Sequence, residues 1–181
     1  MRTPPNPFPN IKWIGFDVDG VMTDGGIIIN DQGVESKRFN SRDGFGIKQL
    51  VKAGLRVAII TGRTSGVVEH RAKEMGVTEV HQKALNKLEV YDQVLSSTGL
   101  KPEETAFAGD DIVDLPILIR CGLAMAPSDA DPEVLRRVHL VTQAKGGHGA
   151  VREMVEYVLT GLGLWPEVLA HYLDPNFKSN K

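Results

Sequence analysis

A single cysteine, Cys121, stands in the 181 residues of this chain. One thiol excludes an intramolecular disulfide framework and any Cys-rich zinc site. A large excess of either charge is also missing. Lys and Arg total 21 against 23 Asp and Glu, a formal net charge of −2, which argues against a protein that coats nucleic acid. No apolar run approaches the roughly 18 residues of a membrane span. The first ten residues, MRTPPNPFPN, hold four prolines and no apolar stretch, and predict an extended tail rather than a signal peptide. A cytoplasmic setting is the expectation. The string GxxxxGK[ST] is missing, which excludes a P-loop ATPase. Gly44-Phe45-Gly46 lacks both the third glycine and the preceding strand of a dinucleotide fingerprint.

What is present is a series of short apolar runs, each stopped by turn residues. Ile11–Phe16 runs into Asp17 and Leu55–Ile60 into Thr61-Gly62. Thr105–Ala108 runs into Gly109-Asp110-Asp111, Gly122–Ala126 ends at Pro127, and His139–Thr142 precedes a glycine cluster. Runs of this kind read as buried parallel strands. Helical spacing predicts helices over Gly44–Ala53, Ser65–Met75, Leu88–Ser97 and Ala150–Leu159, with shorter ones at Val113–Arg120 and Pro132–Arg137. The alternation argues an α/β fold with a mostly parallel sheet flanked by helices. Residues 25–40 instead predict a β-hairpin around Asn30-Asp31-Gln32-Gly33. Residues 11–160 read as one domain, and 161–181 as a C-terminal tail or short helix.

The ends of the predicted strands carry the chemistry. In a parallel sheet, Asp17-Val18-Asp19-Gly20, Thr61-Gly62-Arg63 and Gly109-Asp110-Asp111 with Asp114 converge on one edge. Lys87 opens the helix between the second and third. Carboxylates crowded this closely need a cation. Oxygen ligands without a His cluster favour a hard ion, Mg²⁺. Such a site, with an added Lys and Thr, suits a phosphate dianion.

DVDG, TGR, the isolated Lys87 and GDDIVD, in that order over residues 11–160, resemble the haloacid dehalogenase superfamily of aspartyl-nucleophile phosphatases. The resemblance implies that superfamily's Rossmann-like fold. The stretch between Asp19 and Gly62 is used up by a hairpin, a helix and a strand, so the capless branch is the nearer likeness. Within it, DVDGVMTDG, KRFNSRDGFGIK, ITGR and KGGHGAVRE are similar to the phosphatases of 3-deoxy-D-manno-octulosonate 8-phosphate. Phosphatases of nine-carbon sugar-acid 9-phosphates share much of the pattern. A phosphatase-like assembly subunit without catalysis is the third reading.

The resemblance implies roles residue by residue. Asp17 is the expected nucleophile and Asp19 the acid–base, with Thr61 and Lys87 holding phosphoryl oxygens. Mg²⁺ is expected on the Asp17 carboxylate, the Asp19 backbone carbonyl and Asp110, with Asp111 and Asp114 orienting those ligands from behind. Substrate contacts are expected from Asp19, Asn40, Arg42, Asp43, Gly44, Gly62, Arg63, Arg71 and Lys87. An Arg fork suits the carboxylate of a sugar acid. The resemblance further implies a homotetramer with hairpins at the subunit interface, a small phosphorylated sugar-acid substrate, and no nucleic-acid or membrane partner. The chain departs from the likeness at Gln82-Lys83, where Gln-Gly is frequent, and at Pro127-Ser128-Asp129-Ala130.

Overall fold

A computed structural model describes residues 8–175. Most of the expected N-terminal tail and the last six residues of the expected C-terminal segment lie outside the described residues. β1 (Trp13–Phe16) leads into a hairpin of β2 (Ile28–Ile29) and β3 (Glu35–Ser36). There follow α1 (Ser41–Lys52), β4 (Arg56–Ile60), α2 (Gly66–Met75), β5 (Glu79–His81), α3 (Lys87–Thr98) and β6 (Thr105–Ala108). α4 (Leu115–Leu118), β7 (Leu123–Ala126), α5 (Pro132–Leu135), β8 (Leu140–Val141), α6 (Ala150–Gly161) and α7 (Trp165–Leu173) complete the chain.

Six strands form one sheet in the order β5-β4-β1-β6-β7-β8, with every pair parallel. β1 sits between β4 and β6, so the strand order reverses there, and ligands bind at such switch points outside the carboxyl ends of the strands. Phe16 is level with Ile59 on one side and Ala108 on the other. One step further along each strand lie Asp17, Ile60 and Gly109, which brings the three candidate loops together.

Pleating sorts the strand side chains to the two faces. Ile14, Phe16, Val57 and Ile59 pack with Leu50 of α1, Met75 of α2 and Met154 of α6. Trp13, Ala58, Ile60 and Phe107 pack with Tyr91 of α3 and Ile117 of α4. Each fully buried Ile, Phe or Met contributes about 1.5–3 kcal/mol relative to exposure, so the strand ends are held by a closely packed frame. Among the described residues no helix is long and apolar enough to cross a membrane.

The structure differs from the sequence expectation in instructive places. β5 was not expected. Glu-Val-His offers no apolar run, and the strand exists because Ala58–Ile60 of β4 present an edge to pair with. α1 begins at Ser41, three residues before the expected start. Asn40 caps it by accepting from Arg42 N at 2.8 Å, a signal masked by the helix-weakening glycines 44 and 46. The expected helix over Val113–Arg120 is a 3₁₀ turn at Ile112–Asp114 followed by the four residues of α4. The apolar positions Val168 and Tyr172 near the C-terminus do form a helix, α7. Tyr172 packs on Phe45 of α1, with ring centroids 5.3 Å apart.

Candidate active site

β1 and β6 run straight into the loops that carry the carboxylates. Asp17 N donates to Ala108 O at 2.9 Å, as a continuation of the sheet ladder. The Asp17 carboxylate is then fixed twice: Oδ1 accepts from Val18 N at 2.7 Å, and Oδ2 lies 2.8 Å from Lys87 Nζ. Lys87 is the first residue of α3, and its ammonium also donates to Asp114 Oδ1 at 2.7 Å. Asp114 is fully buried. Its other oxygen accepts from Asp110 N at 3.0 Å and Asp111 N at 3.3 Å. Asp114 therefore sets both the lysine and the loop that carries Asp110.

Asp17, Asp110 and Asp114 each offer an oxygen within 4.8 Å of the other two. Asp110 Oδ1 is buried and has no hydrogen-bond partner. An orphaned buried carboxylate oxygen costs several kcal/mol unless a cation or donor meets it. Gly20 makes room for this carboxylate. It has φ +89, and a Cβ there would lie 2.0 Å from Asp110 Oδ2. Asp111 lies at the edge of the cluster, where its Oδ1 accepts from Ile112 N at 2.6 Å and starts the 3₁₀ turn.

The electrostatics show a site short of positive charge. Burial, then the negative charge of Asp114, pushes the Asp17 carboxyl up to about 6, against the opposing pull of Lys87. Burial, then Asp17 and Asp114, pushes Asp110 up to about 8. Burial works against the Lys87 ammonium, but Asp17 and Asp114 outweigh it and hold the lysine above its usual value. One ammonium among three carboxylates does not neutralise them. An oxygen-only donor set with an orphaned acceptor fits a hard divalent cation such as Mg²⁺.

These groups open into a cavity of about 350 Å³, which Asp17, Asp19, Thr61, Gly62, Arg63, Lys87, Asp110 and Asp111 line together. Thr61 directly follows β4 and is buried, and its Oγ1 accepts from Arg63 N at 3.4 Å. Asp19 and Arg63 meet the hairpin here. Asp19 Oδ1 accepts from Lys37 Nζ at 2.5 Å. Arg63 Nη2 donates to Glu35 Oε1 at 3.1 Å. Neither Lys37 nor Glu35 was anticipated. Only Glu35 lies on a strand, β3, and Lys37 follows its end, so no strand period in the sequence pointed to the pair.

The remaining expected substrate residues lie elsewhere. Asn40 and Arg42 line a separate cavity of about 330 Å³ with His148 and Arg152. The Asp43 carboxylate is buried and spent on α6: its Oδ1 accepts from Arg152 N at 2.8 Å and its Oδ2 from Gly149 N at 3.3 Å. Gly149 has no side chain to cap that helix, so Asp43 caps it from α1. Gly44 lies under Arg71, where a Cβ would be 1.9 Å from Arg71 Nη2. Arg71 donates to the Asn40 carbonyl at 3.3 Å and to Glu74 at 3.0 Å. It holds the N-cap and first turn of α1 rather than lining the cavity around Asp17. The loop after β8 backs the Asp19 loop through Gly147 N, which donates to Val21 O at 3.0 Å.

The family model of the haloacid dehalogenase-like hydrolases matches residues 46–122. The chain is 45% identical over 150 residues to 3-deoxy-D-manno-octulosonate 8-phosphate phosphatase KdsC of Yersinia pestis, across 83% of this chain and 80% of that protein. The corresponding enzyme of Escherichia coli K12 is 41% identical over 154 residues, across 85% and 82%. Among solved structures, a probable YrbI-family phosphatase from Pseudomonas syringae superposes with a TM-score of 0.91 at 42% identity, across 93% of this chain and 96% of that one. The Moraxella catarrhalis 3-deoxy-D-manno-octulosonate 8-phosphate phosphatase, in complex with magnesium ion, phosphate ion and KDO, does so at 0.88 and 34% identity, across 91% and 94%.

Proposed function

The chain belongs to the haloacid dehalogenase-like hydrolases, and from that footing we propose that it hydrolyses 3-deoxy-D-manno-octulosonate 8-phosphate to the free sugar acid and phosphate. The setting is the cytoplasm, in the supply of lipopolysaccharide precursors. The observation that carries this reading is the meeting of Asp17, Asp19, Thr61, Lys87 and Asp110 in one cavity. That intact set disfavours a non-catalytic assembly subunit.

Mg²⁺ fits the carboxylate cluster. Asp17, Asp110 and the Asp19 backbone carbonyl would hold it, and when bound it supplies positive charge against the phosphoryl oxygens. The chain's own groups do the rest. The Asp17 carboxylate attacks phosphorus while the bond from phosphorus to the sugar oxygen breaks, and that oxygen takes the proton from Asp19. Water then attacks the aspartyl-phosphate and gives a proton to Asp19. The bond from phosphorus to Asp17 breaks and phosphate leaves. Lys87 has three donors and spends two on Asp17 and Asp114, which leaves one for a phosphoryl oxygen. The Thr61 hydroxyl supplies another donor. Arg63, at the cavity wall, is the cation for the sugar-acid carboxylate.

Phosphate release with Mg²⁺ from the eight-carbon 8-phosphate, beside nine-carbon sugar-acid 9-phosphates, tests the reading. We expect the eight-carbon ester to be preferred in kcat/KM by at least about tenfold, or about 1.4 kcal/mol of transition-state discrimination. A preference for a nine-carbon ester moves the substrate and keeps the chemistry. No release from any of them defeats the reading.

We also propose a homotetramer sealed by its hairpins. Ile27, Ile28, Ile29 and Val34 are all at least half exposed. A two-stranded hairpin without its own core is marginal alone, and this many exposed large apolar side chains on one short hairpin favour burial against a partner. Light scattering should give four chains for the wild type and a smaller species for Ile28→Asp. A monomeric wild type at working concentration would exclude the assembly.

A further inference from the structure

Glu35 opens β3 and Lys37 lies one residue past its end, and both side chains reach the loops that follow β1 and β4. Four charges of alternating sign meet there. Lys37 Nζ is 2.5 Å from Asp19 Oδ1 and 3.3 Å from Glu35 Oε1. Arg63 Nη2 is 3.1 Å from the same Glu35 oxygen, and Arg63 Nε is 4.0 Å from Asp19 Oδ2. The Lys37 side chain is 2% exposed. Exposed ion pairs contribute little, but breaking a buried one leaves an uncompensated charge and costs far more. Here the two partners are a hairpin carboxylate and the side chain assigned to proton transfer.

We propose that Lys37 is the positioning residue for Asp19, and through Glu35 ties the seating of the hairpin to proton transfer; this rests on the acid–base role given to Asp19 above. Lys37 occupies Oδ1 and fixes the carboxylate plane. Oδ2 lies beyond hydrogen-bond distance of Arg63 and is the oxygen left to exchange the proton. The hairpin must sit down for Lys37 to reach Asp19. A site whose hairpin is lifted therefore holds its nucleophile but lacks an oriented acid.

The test compares two phosphate esters that differ in their need for a proton. An alkoxide leaving group needs one, whereas p-nitrophenolate leaves without it. The parameter is kcat/KM, which covers the steps up to leaving-group departure. For Lys37→Met we expect kcat/KM on the sugar-acid ester to fall about 10- to 100-fold, within the range of general-acid catalysis, and on p-nitrophenyl phosphate by less than about threefold. Lys37→Arg, which keeps the cation and its reach, should recover most of the loss. Equal losses on both esters, or none on either, overturn the proposal, because Lys37 would then serve the phosphoryl group or the hairpin alone. A thermal melt monitors folding, and Lys37→Gln is held to the same criterion if Lys37→Met does not fold. If the wild type releases nothing from the sugar-acid ester, the functional reading fails first. The comparison is then made with whichever alkyl phosphate the enzyme accepts.

Discussion

Replacing Asp17 by asparagine should abolish phosphate release and leave the protein folded. The amide has the shape of the carboxyl group and can still accept from Val18 N, but it cannot form an acyl-phosphate by displacement. Loss of a nucleophile that acts together with its acid and its cation costs on the order of 10⁴-fold or more. The fold tolerates the change because Lys87 keeps Asp114 as its partner. The folded-state Asp17 carboxyl is pushed up to about 6 from 3.8, first by burial. A carboxylate raised in this way lowers stability as pH rises through that window. The metal-free Asp17→Asn protein should therefore melt no lower than the wild type at pH 8. Turnover by Asp17→Asn within tenfold of wild type would exclude the aspartyl-phosphate route.

Removing Mg²⁺ is the second large effect. Chelation should stop turnover, and re-addition should restore it. The stability readout carries a sign. Asp110 sits at about 8 in the folded metal-free chain, first because of burial and then because of Asp17 and Asp114. Its ordinary value is 3.8. Between about pH 4 and 8 the folded protein holds a proton that the unfolded chain has released, so metal-free stability falls as pH rises through that window. A divalent cation displaces the proton and removes the penalty. At 100 times its dissociation constant a ligand adds about 2.7 kcal/mol. For a chain of this size that is a rise in Tm of about 5–10 °C. The rise should be larger at pH 8 than at pH 5.5, with protons released on binding. A shift that is constant with pH, or larger at pH 5.5, would contradict the assigned site.

Several parts of the structure were legible from local pattern. Buried parallel strands read as apolar runs because both faces are covered, so β1, β4, β6 and β7 could be placed within a residue or two. Chain direction then brings Asp17, Thr61 and Asp110 to one edge with no knowledge of contacts. Elements that depend on a neighbour were not legible. β5 is a strand because β4 is there to pair with, and its own three residues carry no strand pattern. Asp43 stands in a stretch that resembles a substrate loop. Only the packing of α1 against the start of α6 turns its carboxylate into a cap.

The sequence by itself determined the α/β class, the sheet edge that gathers the carboxylates, and the need for a cation there. Periodicity and chain direction are local properties, and the like charges follow from them. The tertiary structure alone decided that Asp114 is buried between Lys87 and the Asp110 backbone, that Arg71 braces the start of α1, and that Lys37 reaches from the hairpin to Asp19. Each of those is a contact between residues distant in the chain. Its existence depends on the distance and burial that packing sets, and no residue's type or spacing encodes these alone.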